Sequence, residues 1–451
     1  MDEIQVISPV DGSVVAAVAE TEPAGVRTTV AAARAAAPAW GDVPVADRAA
    51  ILDRWAQAVL DAGDEIAAVT SAEMGMPLAL ARVTQVELVA AVLQNTAAAA
   101  RDFPWLQKHD GFEVHHVPAG VVAAITPWNF PVYQCATKLA PALAAGCAVV
   151  LKPSELAPTG PTRFVELAIA AGVPAAVFGL VHGRGPTVGE TLVTADGVDV
   201  VSFTGSVAVG SKVGALAGAA IRRVALELGG KSAAVVLDDV DLDEVIPRAV
   251  RAAFVNSGQA CNAPTRLLYP RASADRVEAL AAAAASALRV GDPSDPATDL
   301  GPLVSAAQYE RVRGFVDRAM AAGARPLGPV AELAPPYCAP VVLADVERDA
   351  EVAREEVFGP VLVLLPYDDD ADAIAVANDT DYGLSAEIWG ADPARIAAIA
   401  ARLRAGQVKV NGVRTRTRPG APFGGFGKSG VGRELGEWGL LEFCEVKAVL
   451  A

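Results

Sequence analysis

At 451 residues, 53% of them hydrophobic, the chain has material for two or three domains and a large core, which excludes intrinsic disorder. It sets 37 Lys and Arg against 53 Asp and Glu, a formal net charge of −16. That balance argues against nucleic acid, whose phosphates need clustered basic side chains.

From the N-terminus, residues 1–5 lack the basic segment and apolar run of a secretory signal. Helical patterns occupy 26–37, 47–62 and 83–103, rich in Ala, Leu and charge and broken by Gly or Pro. Short β-branched runs follow at 121–126, 148–151, 198–203 and 233–237, with helical stretches at 161–171 and 207–219 between them. This alternation predicts a mainly parallel sheet covered on both faces. A second α/β region starts at 241, with helices at 245–254, 272–288, 309–322 and 371–378 and a strand at 361–365. Residues 323–340, rich in Pro, Gly and Ala, read as a long surface connection.

No apolar run reaches the ~20 residues of a membrane helix; the best, 139–151, contains Pro141. The cysteines at 135, 147, 261, 338 and 444 show no CxxC spacing, and His115 and His116 would point to opposite faces of a strand. Neither structural disulfides nor a metal site is expected. The chain reads as a cytosolic protein without membrane or nucleic-acid partners.

Two segments carry chemistry. Cys261 lies in Phe254-Val-Asn-Ser-Gly-Gln-Ala-Cys-Asn262, too small and polar for ordinary core, and an accessible thiolate there would be a nucleophile. Glu227 opens Glu227-Leu-Gly-Gly-Lys231, a carboxylate suited to general-base work. Taken singly, a buried structural cysteine and a solvated helix-end carboxylate are the plainer readings. Gly425-Phe-Gly-Lys-Ser-Gly430 fits GxGxxG, but it follows no strand and opens no helix, so it is set aside as a dinucleotide fingerprint.

The separate pieces resemble the aldehyde dehydrogenase superfamily over essentially the whole chain. The resemblance rests on Pro127-Trp-Asn-Phe-Pro131, Leu151-Lys-Pro-Ser-Glu155, Ser202-Phe-Thr-Gly-Ser206, Glu227-Leu-Gly-Gly-Lys231, Gly258-Gln-Ala-Cys261, Glu355-Glu-Val-Phe-Gly-Pro360 and Pro422-Phe-Gly-Gly425, in the family's order. It implies an α/β architecture of two Rossmann-like parallel-sheet domains, cofactor and catalytic, with a β-hairpin oligomerisation arm. The cofactor domain would take 1–105 and 118–228, and the catalytic domain 229–419. The arm at 106–117 and a C-terminal strand within 440–451 would pair across subunits of a homodimer or homotetramer.

The implied reaction is NAD-dependent oxidation of an aldehyde to the carboxylic acid. Cys261 would attack the aldehyde, Asn129 would help form the oxyanion hole, and Glu227 would activate the hydrolytic water. Lys138 and Glu434 would relay its proton. For the cofactor the resemblance assigns Thr126, Trp128, Lys152, Ser154, Glu155, Gly205, Ser206, Gly229, Glu356 and Phe358. Glu155 at the adenosine ribose favours NAD, with NADP possible, because a carboxylate repels a 2′-phosphate. Two alternatives are a CoA-acylating relative, disfavoured by the presence of Glu227, and a catalytically silent family member. The segment 411–419 departs from common members, and its Arg414, Arg416 and Arg418 would attract a carboxylated aldehyde if they face the substrate.

Overall fold

Three of the apolar runs, Val121–Ile125, Ala148–Lys152 and Val200–Thr204, are buried at every position. A strand covered on both faces cannot alternate polar and apolar residues, which is why these runs are continuous. In the computed structural model of the chain, which describes residues 3–414 and 418–450, they form the centre of a six-stranded sheet. Its order is Gly430–Val431, Arg223–Glu227, Val200–Thr204, Val121–Ile125, Ala148–Lys152 and Phe178–Leu180. All neighbours are parallel except the short strand at 430–431, which runs antiparallel to Arg223–Glu227. The chain leaves Val121–Ile125 in one direction and later returns on its other side with Val200–Thr204. The carboxyl ends of those two strands therefore border the switch-point crevice where α/β sheets bind ligands.

The second sheet has seven strands in the order Arg325–Pro326, Val341–Ala344, Val361–Tyr367, Arg266–Pro270, Ala233–Val236, Ser385–Trp389 and Gln407–Val410. Residues 228–232 cross directly from strand Arg223–Glu227 of the first sheet to strand Ala233–Val236 of the second. The helix Leu242–Ala253 packs on one face, with Ile246, Val250 and Phe254 among Val236, Leu267 and Leu364. Helix Ala306–Ala321 covers the other face through Val312, Phe315 and Val316.

Several elements differ from the sequence expectations. The region 83–103 divides into a π-helical turn, Arg82–Glu87, and the helix Leu88–Asp102. The apolar run 139–151 is two elements: the end of helix Pro131–Ala145 and the strand Ala148–Lys152, separated by Gly146 with φ +93°. An N-terminal hairpin pairs Glu3–Ile7 with Val14–Ala19, and helix Gly63–Met74 was not anticipated.

The C-terminal strand calls for a correction. Cys444–Leu450 pairs antiparallel with Phe112–Pro118 of its own chain, which in turn pairs with Leu106–His109. The expected pairing of these two segments across subunits is not what the structure shows. Arg223 explains the geometry: its guanidinium donates to the Cys444 carbonyl at 2.6 Å and pairs with Glu445 at 2.8 Å. Ala119 N–H donates to the Phe443 carbonyl at 3.0 Å, and together these contacts deliver the strand to its own hairpin.

Candidate active site

Cys261 follows a tight turn, Val255–Gly258, in which Asn256, Ser257 and Gly258 have φ of +54°, +56° and +75°. A Cβ at Gly258 would stand 2.1 Å from the Gly359 carbonyl, so only glycine fits. Buried amides hold the other two residues in the left-handed region. Asn256 donates to the Asn129 carbonyl at 3.0 Å, and the Ser257 hydroxyl donates to the Gly301 carbonyl at 2.7 Å. Gln259 accepts from Val304 N–H at 3.0 Å and donates to the Asn256 carbonyl at 3.1 Å. The strain is thus over-determined by its surroundings, the usual condition for keeping it.

The thiol at the end of this turn is not a resting thiolate. Burial, then the carboxylates of Glu356 and Glu227, push the Cys261 pKa up to about 12, with Lys409 opposing them. The sequence expectation of a stabilised thiolate is corrected on that point, while Cys261 itself is half-buried and not sealed in the core.

Asn129 follows the carboxyl end of Val121–Ile125 and is buried. Its Nδ2 donates to the Gln259 carbonyl at 3.0 Å, which uses one of its two amide protons. Gln85, absent from the sequence reading, caps the helix that starts just beyond, accepting from Val132 and Tyr133 N–H at 3.1 and 3.2 Å.

Glu227 is the last residue of its strand, not a helix end, and it is buried rather than solvated. Neither carboxylate oxygen has a hydrogen-bond partner among the described residues. Burial, then the Glu434 carboxylate, holds its pKa well above the ordinary range, against the pull of Lys138. Lys138 and Glu434 form a buried ion pair at 2.5 Å. The glycine-rich segment 424–430 has its explanation here. A Cβ at Gly424 would stand 2.8 Å from Glu227 Oε1, and one at Gly430 would meet the Leu226 carbonyl at 1.8 Å.

A cavity of about 660 Å³ occupies the crevice between the sheets. Of the residues assigned from sequence it gathers Trp128, Asn129, Gly205, Ser206, Gly229, Cys261, Glu356 and Phe358 into its wall. Ser206 caps helix Val207–Ala219 through Val209 N–H, leaving further helix N–H groups for an anion. Glu356 accepts from Gly230 N–H at 3.1 Å, and burial pushes its pKa up to about 7. A Cβ at Gly229 would fall 2.3 Å from Glu356 Oε2. Phe358 sits at φ +60° with its ring edge-on to Trp128 at 5.5 Å, and Gln308 donates to its carbonyl at 2.8 Å. Arg311, missed in the sequence, lines the same cavity and donates to the Glu356 carbonyl at 2.8 Å.

Thr126, Lys152, Ser154 and Glu155 are not part of that wall. Lys152 Nζ donates to the Pro153 carbonyl at 2.9 Å and pairs with Glu155 at 3.4 Å. The Ser154 hydroxyl accepts from Leu156 N–H at 3.3 Å, and Thr126 Oγ1 lies 3.5 Å from Cys135 Sγ. Lys152, Ser154 and Glu155 lie one strand over, at the carboxyl end of Ala148–Lys152, and Thr126, just past Val121–Ile125, donates its N–H to the Lys152 carbonyl at 3.1 Å. Of the arginines at 411–419, Arg414 pairs with the buried Glu387 at 2.7 Å, and Arg416 lies outside the described residues. No helix among the described residues is long and apolar enough to cross a membrane.

A nicotinamide dinucleotide needs a helix N-terminus for its pyrophosphate, a carboxylate for a ribose, and glycines where backbone must come close. Ser206, Glu356 and the crowded Gly205 and Gly229 meet those needs. A family model described as "Aldehyde dehydrogenase family" matches residues 1–449. 3-Succinoylsemialdehyde-pyridine dehydrogenase from a Pseudomonas species is 41% identical over 454 residues, 99% of this chain and 95% of its own. Betaine aldehyde dehydrogenase from Cereibacter sphaeroides is 38% identical over 459 residues, 99% and 93% of the two chains. A mutant aldehyde dehydrogenase C from Pseudomonas syringae, solved with NAD+ and octanal, matches with a TM-score of 0.97 at 41% identity, covering 100% of this chain and 93% of that one. The Mycobacterium tuberculosis aldehyde dehydrogenase complexed with NAD+ matches with a TM-score of 0.97 at 37% identity, covering 100% and 95%.

Proposed function

The chain belongs to the aldehyde dehydrogenase family and oxidises aldehydes to carboxylic acids with a nicotinamide cofactor, and on that premise we propose that Cys261 is its nucleophile and Glu227 its hydrolytic base. The observation that carries this reading is Glu227 itself. A buried carboxylate with both oxygens unpartnered, close enough to act on the Cys261 thiol, is costly unless something else uses it.

The sulfur gives its proton to solvent water and bonds to the aldehyde carbon, and the carbonyl π pair moves to oxygen. The second amide proton of Asn129 and the Cys261 backbone N–H receive that oxyanion. A nicotinamide held by Ser206, Gly229, Glu356 and Phe358 would supply the acceptor for the hydride that the carbon gives up. As the C=O bond reforms, Cys261 is left as a thioester. A water then attacks, Glu227 takes its proton, the C–S bond breaks, and the sulfur leaves with its electron pair. The raised pKa of Glu227 makes it a stronger proton acceptor than an ordinary carboxylate. Lys138 and Glu434, the buried pair whose charges act on Glu227, offer the proton a way out.

Trp128, Ser206, Gly205, Gly229, Glu356 and Phe358 would hold the nicotinamide half of the cofactor, and Thr126, Lys152, Ser154 and Glu155 the adenosine half. Glu155 favours NAD over NADP. We assign residues 1–105 and 118–228 to the cofactor domain and 229–419 to the catalytic domain. We assign 106–117 and 440–451 to an oligomerisation arm and strand, and the sheet of Leu106–His109, Phe112–Pro118 and Cys444–Leu450 within them has free edges that suit a homodimer or homotetramer. Five free cysteines fit a reducing cytosol.

The experiment is an NADH absorbance assay with and without CoA. Cys261→Ala abolishes turnover, whereas Glu227→Gln releases one equivalent of NADH per site and stalls at the thioester. Full turnover by Cys261→Ala overturns the reading. A CoA-dependent wild type would favour acyl transfer, and a wild type inert with every aldehyde would favour a silent protein.

A further inference from the structure

Lys231 stands between Gly229, in the wall of the cofactor cavity, and the strand Ala233–Val236. It is buried, and its ammonium has no hydrogen-bond partner among the described residues. An ammonium withdrawn from water without a partner is among the costlier arrangements a fold can hold. Glu356 and Glu355 act on it from beyond contact, and Glu356 spends its Oε1 on Gly230 N–H at 3.1 Å.

A second, small cavity of about 20 Å³ is lined by Lys231. Ala233, Arg266 and Ser385, which also line it, open three neighbouring parallel strands of the seven-stranded sheet. Thr380, Tyr382 and Arg404 add polar lining, and no acidic residue among the described residues contributes to the wall. In a chain with a net charge of −16 that is a marked exception. Ser385 Oγ, like the Lys231 ammonium, is buried without a partner.

The charges around the cavity do not cancel within it. Arg266 donates to the carbonyls of Lys231, Val376 and Ala377, which occupies its donors and leaves its charge in place. Asp379, the carboxylate that acts on Arg266, is itself paired with Arg354 at 2.6 Å. Arg404 is exposed and marks the way to solvent. A water would meet the free donors but would not offset two buried cations, whose field in a low-dielectric interior is strong. One water-sized body needs ~10–15 Å³ of such space, so the cavity takes about one occupant and excludes a carboxylate or phosphate.

We propose that this cavity binds a single monatomic anion, chloride in ordinary media, held by Lys231 Nζ and Ser385 Oγ beside the charge of Arg266. The anion accepts a charge-assisted hydrogen bond from the ammonium and a second from the hydroxyl. It also keeps the lysine protonated, where burial alone pushes the ammonium down to about 7. The site stands apart from the aldehyde chemistry and depends on neither Cys261 nor Glu227.

Two measurements on the full chain test it. Crystals soaked in bromide should show an anomalous peak between Lys231 and Ser385. Replacing gluconate, too large for the cavity, by 100 mM chloride at constant ionic strength should raise the thermal midpoint by about 2–4 °C. Lys231→Met should abolish both effects, and Ser385→Ala, a change small enough to leave the fold intact, should raise the half-saturating chloride concentration by about 5- to 10-fold. The absence of a bromide peak, with water at a neutral Lys231 instead, overturns the proposal. So does a chloride response that both variants retain. A peak with no rise in midpoint marks binding at crystal concentration only, and overturns it as well.

Discussion

Cys261 rests protonated, and that shifts the weight of catalysis onto what meets the oxygen of the substrate. With the thiol pushed to about 12, attack is productive only where the new oxyanion is stabilised as it forms. Asn129 is the side-chain donor placed to do this, and its second proton is the relevant one because the first is bound to the Gln259 carbonyl. Removing such a donor raises a barrier by about 3–4 kcal/mol, so Asn129→Ala should lower kcat by about 10²- to 10³-fold. Because Asn129 also steadies the turn before Cys261, NAD binding by fluorescence quenching should be measured in parallel and stay near wild type. A kcat within tenfold of wild type would remove Asn129 from the mechanism.

At the scale of elements, the ends of helices and strands carry the pH sensitivity of the fold. Glu73, in helix Gly63–Met74, caps helix Thr159–Ala171 by accepting from Thr159 N–H at 3.1 Å. A helix N-terminus favours the carboxylate, but burial outweighs that and pushes Glu73 up to about 7. A folded-state pKa above the unfolded one means the folded protein holds the extra proton. That stability is complete below about pH 4.5 and is lost as pH rises through about 7, on the order of 3 kcal/mol at most. Glu73→Gln should therefore raise the thermal midpoint at pH 8 and lose its advantage by pH 5. Parallel melting curves across that range would contradict the linkage.

The strands also show what the sequence could and could not disclose. Cys261, Glu227 and Asn129 were legible because they stand in short motifs whose order is preserved along the chain. The strands Arg223–Glu227, Arg266–Pro270, Ser385–Trp389 and Gln407–Val410 were not, since Glu227, Arg266, Glu387 and Lys409 interrupt their apolar pattern. Arg266 is satisfied by the carbonyls of Lys231, Val376 and Ala377 at 2.8–2.9 Å, contacts more than 30 residues away that no local pattern encodes. Tertiary partners make Arg266 tolerable, whereas Glu227 is buried with neither oxygen partnered among the described residues.

Over the whole molecule, the question left by the C-terminal strand is what covers its sheet. Cys444–Leu450 and Leu106–His109 are the two edges of a three-stranded sheet, and Val446 and Leu450 are 65% and 80% exposed in a single chain. Exposed apolar strand edges invite another chain. Light scattering at micromolar concentration should give a dimer or tetramer, and Val446→Glu with Leu450→Glu should shift it toward monomer. A wild-type monomer would remove the arm's assigned role.

The strand Gln407–Val410 has one neighbour where interior strands have two. A substitution there disturbs half as many ladder contacts, and none of the oxyanion, hydride or water machinery hangs from it. Replacements can therefore accumulate along this margin at less cost to the sheet than on any interior strand, and the outer strand is where the architecture is most forgiving.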